Sequence, residues 1–126
     1  MIEHLNPPSM HSNPAFSQGT IAPAGRTLYV GGQNGVTADG TLLEGIEAQT
    51  QQAMRNLLTV LEAAGATPAD VARLAIYLDA NVSAEDGFRA AMPIWGGQPT
   101  AVTVLSVPKF ARPGVLVEIE AVAALG

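Results

Sequence analysis

Residues 46–80 read IEAQTQQAMRNLLTVLEAAGATPADVARLAIYLDA, and this stretch changes its hydrophobic period halfway along. From Ile46 to Ala64, the apolar residues Ile46, Ala53, Met54, Leu57, Val60, Leu61 and Ala64 recur at three- and four-residue steps, which gathers them on one buried helical face. Gly65 ends that helix as a C′ glycine does. Thr67 and Pro68 start a single helical turn, after which Leu74, Ile76 and Leu78 alternate with Arg73, Ala75 and Tyr77 in the manner of a strand.

Upstream, FSQGTIA (16–22) and TLYVGGQ (27–33) are two candidate strands; the turn-forming PAGR between them predicts a hairpin. NGVTADGT (34–41) carries Asn-Gly and Asp-Gly steps and is expected as a loop. Residues 1–15, with Pro7, Pro8 and Pro14, form an extended arm with at most a short strand at Ile2 to Leu5. Downstream, Ser83 and Asp86 are spaced as an N-cap and its acidic N3 partner. Phe88, Ala91, Met92 and Trp95 then mark one face of a second helix, which Pro93 shortens or kinks. Ala101 to Val107 and Leu116 to Ala123 are the last strands, separated by a loop holding Pro108, Arg112, Pro113 and Gly114. This order predicts a single α+β domain over residues 1–126, with two helices covering one face of the sheet.

At 126 residues, only 13% of them charged against roughly 25% in an average soluble domain, the chain is short of groups to cover its own surface. Strand residues on both faces of TLYVGGQ, AVTVLSV and LVEIEAVA are mainly apolar, and two helices cover only one face. A second copy of the chain is the simplest cover for the other, so a homo-oligomer is expected.

The formal net charge is -5, and Lys109 and Arg26, Arg55, Arg73, Arg89 and Arg112 are scattered. Nucleic acid and anionic membranes are held through clustered cations, so neither is an expected partner. The absence of cysteine removes disulfides, thiolate catalysis and Cys-ligated metals. With no basic-then-apolar leader and no run of about eighteen apolar residues, a soluble cytoplasmic protein is expected.

Familiar nucleophile, phosphate-loop, dinucleotide and metal motifs are absent. His4 and His11 lie in the proline-rich arm without a partner at ligand spacing and are assigned no role. YVGGQNG (29–35) has two readings: a bulge or strand end, or backbone at Gly31 and Gly32 laid open to a small molecule, with Gln33 adding an amide. Glu118 and Glu120 share one face of an apolar strand. Either that face is exposed or neutralised, or a carboxylate there holds a water in a cleft for proton transfer.

FSQG, LYVGGQ, EAQTQQAMRNLLTVLEAAGA, DVARLAIYLDA and LVEIEAVA, taken together and in order over nearly the whole chain, resemble the Rid (YjgF) family of reactive-intermediate deaminases. The resemblance implies a chorismate-mutase-like α+β fold, a homotrimer and small-molecule clefts between subunits. It also implies hydrolysis of 2-imino acids and their enamines to 2-keto acids and ammonia, with neither metal nor organic cofactor. It assigns Glu118 the task of positioning the attacking water. Phe16, Ser17, Gln18, Gly31, Gly32, Gln33, Pro99, Thr100 and Ala101 become the residues facing the ligand.

The chain also departs from the family. Gln98, Pro99, Thr100 and Ala101 stand where the family has Pro-Ala-Arg-Ser/Thr, so Pro99 or Thr100 takes the position of the carboxylate-binding arginine. Phe16 replaces the family's tyrosine and lacks its hydroxyl. The resemblance therefore leaves two functional readings. One is a deaminase-type hydrolase acting on another small carbonyl or imine compound; the other is a noncatalytic binding or interaction protein that keeps the trimer.

Overall fold

The central amphipathic stretch forms helix α1 (Ile46–Ala63) in the computed structural model, which describes residues 1–126. Its buried side chains, among them Ala53, Met54, Leu57 and Leu61, fall on the face that the spacing defines. Gly65, at φ 73°, follows it. Gln49 is polar yet only 2% exposed, because its amide meets three main-chain groups. Nε2 donates to Leu43 O and Gly114 O, both at 2.9 Å, and Oε1 accepts from Leu116 N–H at 2.8 Å. One side chain thus ties the loop before α1 to the loop before the last strand.

After a 3-10 turn at Pro68–Asp70, capped reciprocally by Thr67 and Asp70, comes strand β4 (Val71–Asp79). Helix α2 (Ala84–Trp95) starts where Ser83 Oγ accepts from Asp86 N–H at 3.3 Å. It stops at Gly96, whose φ of 84° suits glycine and whose N–H reaches Met92 O at 2.9 Å. Pro93 sits in the last turn, where the N–H it lacks would have served Arg89 C=O. Ala90, Ala91 and Trp95 are buried, whereas Phe88, expected on the core face, is 45% exposed.

The main sheet contains β3 (Arg26–Gln33), β4, β5 (Ala101–Val107) and β6 (Val117–Leu125) in the order β3-β6-β4-β5. The sheet is mixed: β4 and β5 are parallel, joined through α2, while β6 runs antiparallel to β3 and β4. Val117, Ile119, Ala121 and Ala123 of β6 point to the helices and pack with Met54, Leu57 and Leu61 in one core. Both helices therefore lie on one face. Truncating Leu57 or Ile119 to alanine in such a core costs about 2–5 kcal/mol.

The expected strand pairing needs correction. FSQGTIA and TLYVGGQ do not pair with each other: β2 (Gly19–Ile21) joins β1 (Glu3–Leu5) in a two-stranded sheet, and β3 pairs with β6. PAGR still turns the chain, but a turn does not choose a partner, and β6 offers β3 a longer antiparallel register than β2 can. The uncharged run AVTVLSV forms an edge strand, with residues 103–106 exposed.

Candidate functional site

The face of the sheet turned away from the helices carries the odd-numbered residues of β4 from Arg73 onward, the odd-numbered ones of β5 and the even-numbered ones of β6; Val71, before a register shift, belongs to the core. On that open face stand Arg73, Tyr77, Ala101, Leu105, Glu118 and Glu120. The sequence-selected residues form two groups: Ala101 of the first and Glu118 of the second stand on this open face, whereas Phe16 of the first lies against α2 on the helix side.

The first group lies where the N-terminal arm meets the turn before β5. Ser17 is buried; its N–H donates to Thr100 O at 3.3 Å and its hydroxyl donates to Pro99 O. His4, assigned no role above, stands with Nδ1 2.8 Å from Ser17 Oγ. Because that hydroxyl already donates to Pro99 O, the imidazole is the donor in this pair and Ser17 is not set up as a nucleophile. The network fastens the arm to the turn. Thr100 is 1% exposed, and its Oγ1 has no hydrogen-bond partner within the chain. Phe16 leans on Phe88 of α2 with ring centroids 6.0 Å apart at 58°. Gln18 turns outward, its Nε2 donating to His11 O at 2.6 Å.

The second group is built on a bulge. Val30 pairs with Ala121 and Gln33 with Ile119, so Gly31 and Gly32 together oppose Glu120. A Cβ on Gly32 would come within 2.6 Å of Glu118 Cδ and 2.9 Å of its Oε2, whereas one on Gly31 would meet nothing within 4 Å. Gly32 is thus what lets the half-buried Glu118 side chain lie across β3. The bulge reading of YVGGQNG holds, and the space beside Gly32 is taken by the chain's own Glu118 side chain. Gln33 Nε2 donates to Gly31 O at 3.1 Å, which keeps its amide at the bulge.

Glu120 accepts a 2.8 Å hydrogen bond from Tyr77 Oη. That bond, with some desolvation and the negative charge of Glu120 and Glu118, holds the Tyr77 phenol above its ordinary range; Arg73 pulls the other way. Arg73 is exposed and in register with Ala101 on one side and Val122 on the other. Both salt bridges of the chain belong to Arg89, so neither Arg73 nor Glu118 is ion-paired. Sequence reasoning passed over Arg73 because its nearness to Ala101 arises from strand register, not from spacing along the chain. Arg112 is held away from both groups, donating to Gly40 O at 3.1 Å.

The two groups do not meet within one chain. Glu118 is level with Tyr77 and Leu105, and Ala101 lies four residues back along β5. Two strand spacings and four residue rises separate them by roughly 16 Å. On the helix side of the sheet, a separate cavity of about 300 Å³ opens between α2, the arm and β4–β5. No three His, Asp or Glu side chains converge to hold a metal ion. No helix is long and apolar enough to cross a membrane.

The endoribonuclease L-PSP family matches residues 8–125 of the chain. A RutC family protein of Pyrococcus horikoshii is 36% identical over 105 residues, covering 79% of this chain and 80% of that protein. Among solved structures, a conserved Rid family protein of unknown function from Yersinia pestis is 37% identical, with a TM-score of 0.87 over 98% of both chains. RidA from an Antarctic Psychrobacter is 25% identical, with a TM-score of 0.74 over 91% of this chain and 92% of that one. Matched in sequence over almost its whole length and in fold from end to end, the chain belongs to the Rid (YjgF) family, which includes the endoribonuclease L-PSP proteins.

Proposed function

We propose that three copies of the chain assemble so that the turn 98–101 of one copy faces the Glu118 bulge of the next, forming a small-molecule site between subunits. The observation that carries this reading is the separation just described. Glu118 and the 99–101 turn lie roughly 16 Å apart on one sheet face, too far for a small substrate to touch both in one copy. The edge strand β5 supports the assembly. It presents Val104 and Leu105 at 47% and 50% exposure, with no charged residue to discourage pairing.

The chemistry proposed for the cleft is hydrolysis of an imine or enamine without metal or organic cofactor. Glu118 takes a proton from water as the water oxygen bonds to the imine carbon, and passes that proton to the nitrogen. The resulting carbinolamine gives its hydroxyl proton to Glu118, which returns it to the leaving nitrogen. The C–N bond breaks, releasing ammonia and the carbonyl compound.

Phe16, Ser17, Pro99, Thr100 and Ala101 would line one side of the cleft, and Gly31, Gly32 and Gln33 the other; Gln18 contributes only its main chain. The turn itself carries no cation: its Pro99 and Thr100 carbonyls accept from Ser17, and the Thr100 hydroxyl is buried. The substrate is therefore an uncharged or weakly polar carbonyl or imine compound rather than a simple 2-imino acid. Ribonuclease action is disfavoured by the net charge of -5 and the lack of a basic patch.

The test is ammonia release from imines generated in situ, 2-iminobutanoate and uncharged imines among them, for wild type, Glu118→Gln and Arg73→Ala. The expected result is turnover of an uncharged imine that Glu118→Gln abolishes and Arg73→Ala leaves with its KM unchanged. Efficient turnover of 2-iminobutanoate that depends on Arg73 would refute the substrate class. No turnover of any imine would favour the noncatalytic binding reading.

A further inference from the structure

The cavity on the helix side lies apart from Glu118 and its bulge, and shares only Phe16 and Gln98 with the turn side of the proposed cleft. Val117 and Ile119 line it while Glu118, between them, points to the opposite face of the sheet. It lies within a single chain, so its existence does not depend on the trimer. Three properties define what fits.

Size comes first. About 300 Å³ is roughly twice the volume of an engineered apolar cavity that takes up benzene. Small residues keep it open: Ala84, Gly87 and Ala91 of α2 face it, and Gly96 and Gly97 line it just beyond the helix.

Charge comes second. No Asp, Glu, Lys, Arg or His is among the lining residues, so a charged group entering would lose its hydration with nothing to replace it. The thioethers of Met54 and Met92 and the rings of Phe88 and Trp95 suit a flat or branched hydrocarbon body.

The third property is polar: besides Gln98, whose main-chain carbonyl accepts from Trp95 Nε1 at 3.2 Å, the lining holds one buried polar atom without a partner. Thr50 on α1 is 2% exposed and lines the cavity, yet its Oγ1 has no hydrogen-bond partner. The usual outlet for a threonine in a helix, a bond to the carbonyl four residues back, is not made. Gly87 stands opposite, where even a Cβ would remain 3.9 Å from that oxygen. A buried hydroxyl left unsatisfied is costly, and a ligand atom is the natural partner in a chamber whose lining is mainly apolar.

We propose that this chamber is a second, intrasubunit binding site for a neutral, mainly apolar small molecule of up to roughly twice the bulk of benzene, bearing one acceptor, such as a ketone oxygen, that takes the Thr50 hydroxyl proton. The Phe16–Phe88 pair stands at its mouth.

The probes are 4-fluoroacetophenone and 1-ethyl-4-fluorobenzene, near-equal in shape, titrated by fluorine NMR with the methyl resonances of Thr50, Ala91 and Val104 followed in parallel. Both are expected to saturate and to shift those methyls, the ketone binding more tightly. Thr50→Val should weaken the ketone roughly five- to tenfold and leave the hydrocarbon within about twofold. Ala91→Leu, which fills the chamber, should abolish binding of both without lowering the melting temperature.

Failure to saturate up to the solubility limit would overturn the proposal, as would undiminished binding to a folded Ala91→Leu. Equal weakening of both probes by Thr50→Val would overturn the role given to the hydroxyl. If Ala91→Leu does not fold, the comparison of the two probes on Thr50→Val decides alone. Retention of both probes by Glu118→Gln separates this site from the cleft, so either proposal can fail without the other.

Discussion

Replacing Gly32 with alanine tests whether Glu118 works from the position the bulge allows it. The added Cβ would fall 2.6 Å from Glu118 Cδ and 2.9 Å from both Cγ and Oε2. Carbon atoms in good contact sit at about 3.5 Å, so the carboxylate must retreat by roughly 0.9 Å. A reacting group misplaced by about 1 Å costs on the order of a hundredfold in rate. Folding should suffer little. Gly32 does not have positive φ, so alanine adds no backbone strain there. The reduced freedom of the unfolded chain, about 0.4–1 kcal/mol, offsets a side-chain reorientation costing about 0.5–1.5 kcal/mol.

The matched comparison is Gly31→Ala, whose Cβ meets nothing within 4 Å. Its methyl would enter the cleft and act on KM while leaving Glu118 in place. Ammonia release from the best imine substrate, read beside thermal unfolding, should show kcat falling about a hundredfold in Gly32→Ala only, with both variants melting within a few degrees of wild type. Wild-type kcat in Gly32→Ala, or an equal loss of kcat in both, would refute the reasoning.

Three further outcomes follow from the same contacts. Gln49→Leu keeps the volume but strands Leu43 O, Gly114 O and Leu116 N–H. At about 1 kcal/mol or more for each stranded group, and about 4 °C per kcal/mol for a chain of this length, the melting temperature should drop by roughly 12 °C. A drop of under about 3 °C would mean that water or rearrangement satisfies those groups. In an ultraviolet titration, Tyr77→Phe should remove a phenolate step lying above the ordinary tyrosine value. Because the folded pKa is raised, the stability gained from the Tyr77–Glu120 bond is fully present below the unfolded phenol's pKa and is lost as pH rises through the folded value. A titration unchanged by the substitution would contradict that bond. Leu105→Lys, placing a charge on the exposed edge strand, should convert the proposed trimer to monomers in sedimentation without unfolding them; an unaltered mass would remove β5 from the interface.

Local chemistry was easier to read in the sequence than pairing. Helix α1 follows from residues three and four apart that must share a face, and α2 from the spacing of Ser83 and Asp86; both depend on near neighbours. The partner of β3 depends on β6, some ninety residues away, and PAGR holds no information about it. The same limit explains AVTVLSV. An apolar run reads the same whether its cover comes from its own chain or from another copy, and here the chain leaves residues 103–106 bare.

At the site, the glycines at 31 and 32 were visibly out of place in a strand, but which of them makes room for Glu118 depends on the register of the bulge. His4 looked idle because its partner, Ser17, is reached only when β1 pairs with β2. Thr50 carried no signal at all. A threonine in an amphipathic helix is ordinary until its hydroxyl is found buried and unpaired.

Subunit complementation tests most directly whether the site is shared between copies. Glu118→Gln and Ala101→Trp, each inactive alone, are unfolded together in equal amounts, refolded, and assayed for ammonia release. If each site draws Glu118 from one copy and the 99–101 turn from its neighbour, random assembly leaves about a quarter of the sites with both halves intact. The mixture should therefore recover about a quarter of wild-type turnover. A mixture no more active than its inactive components would contradict the shared site.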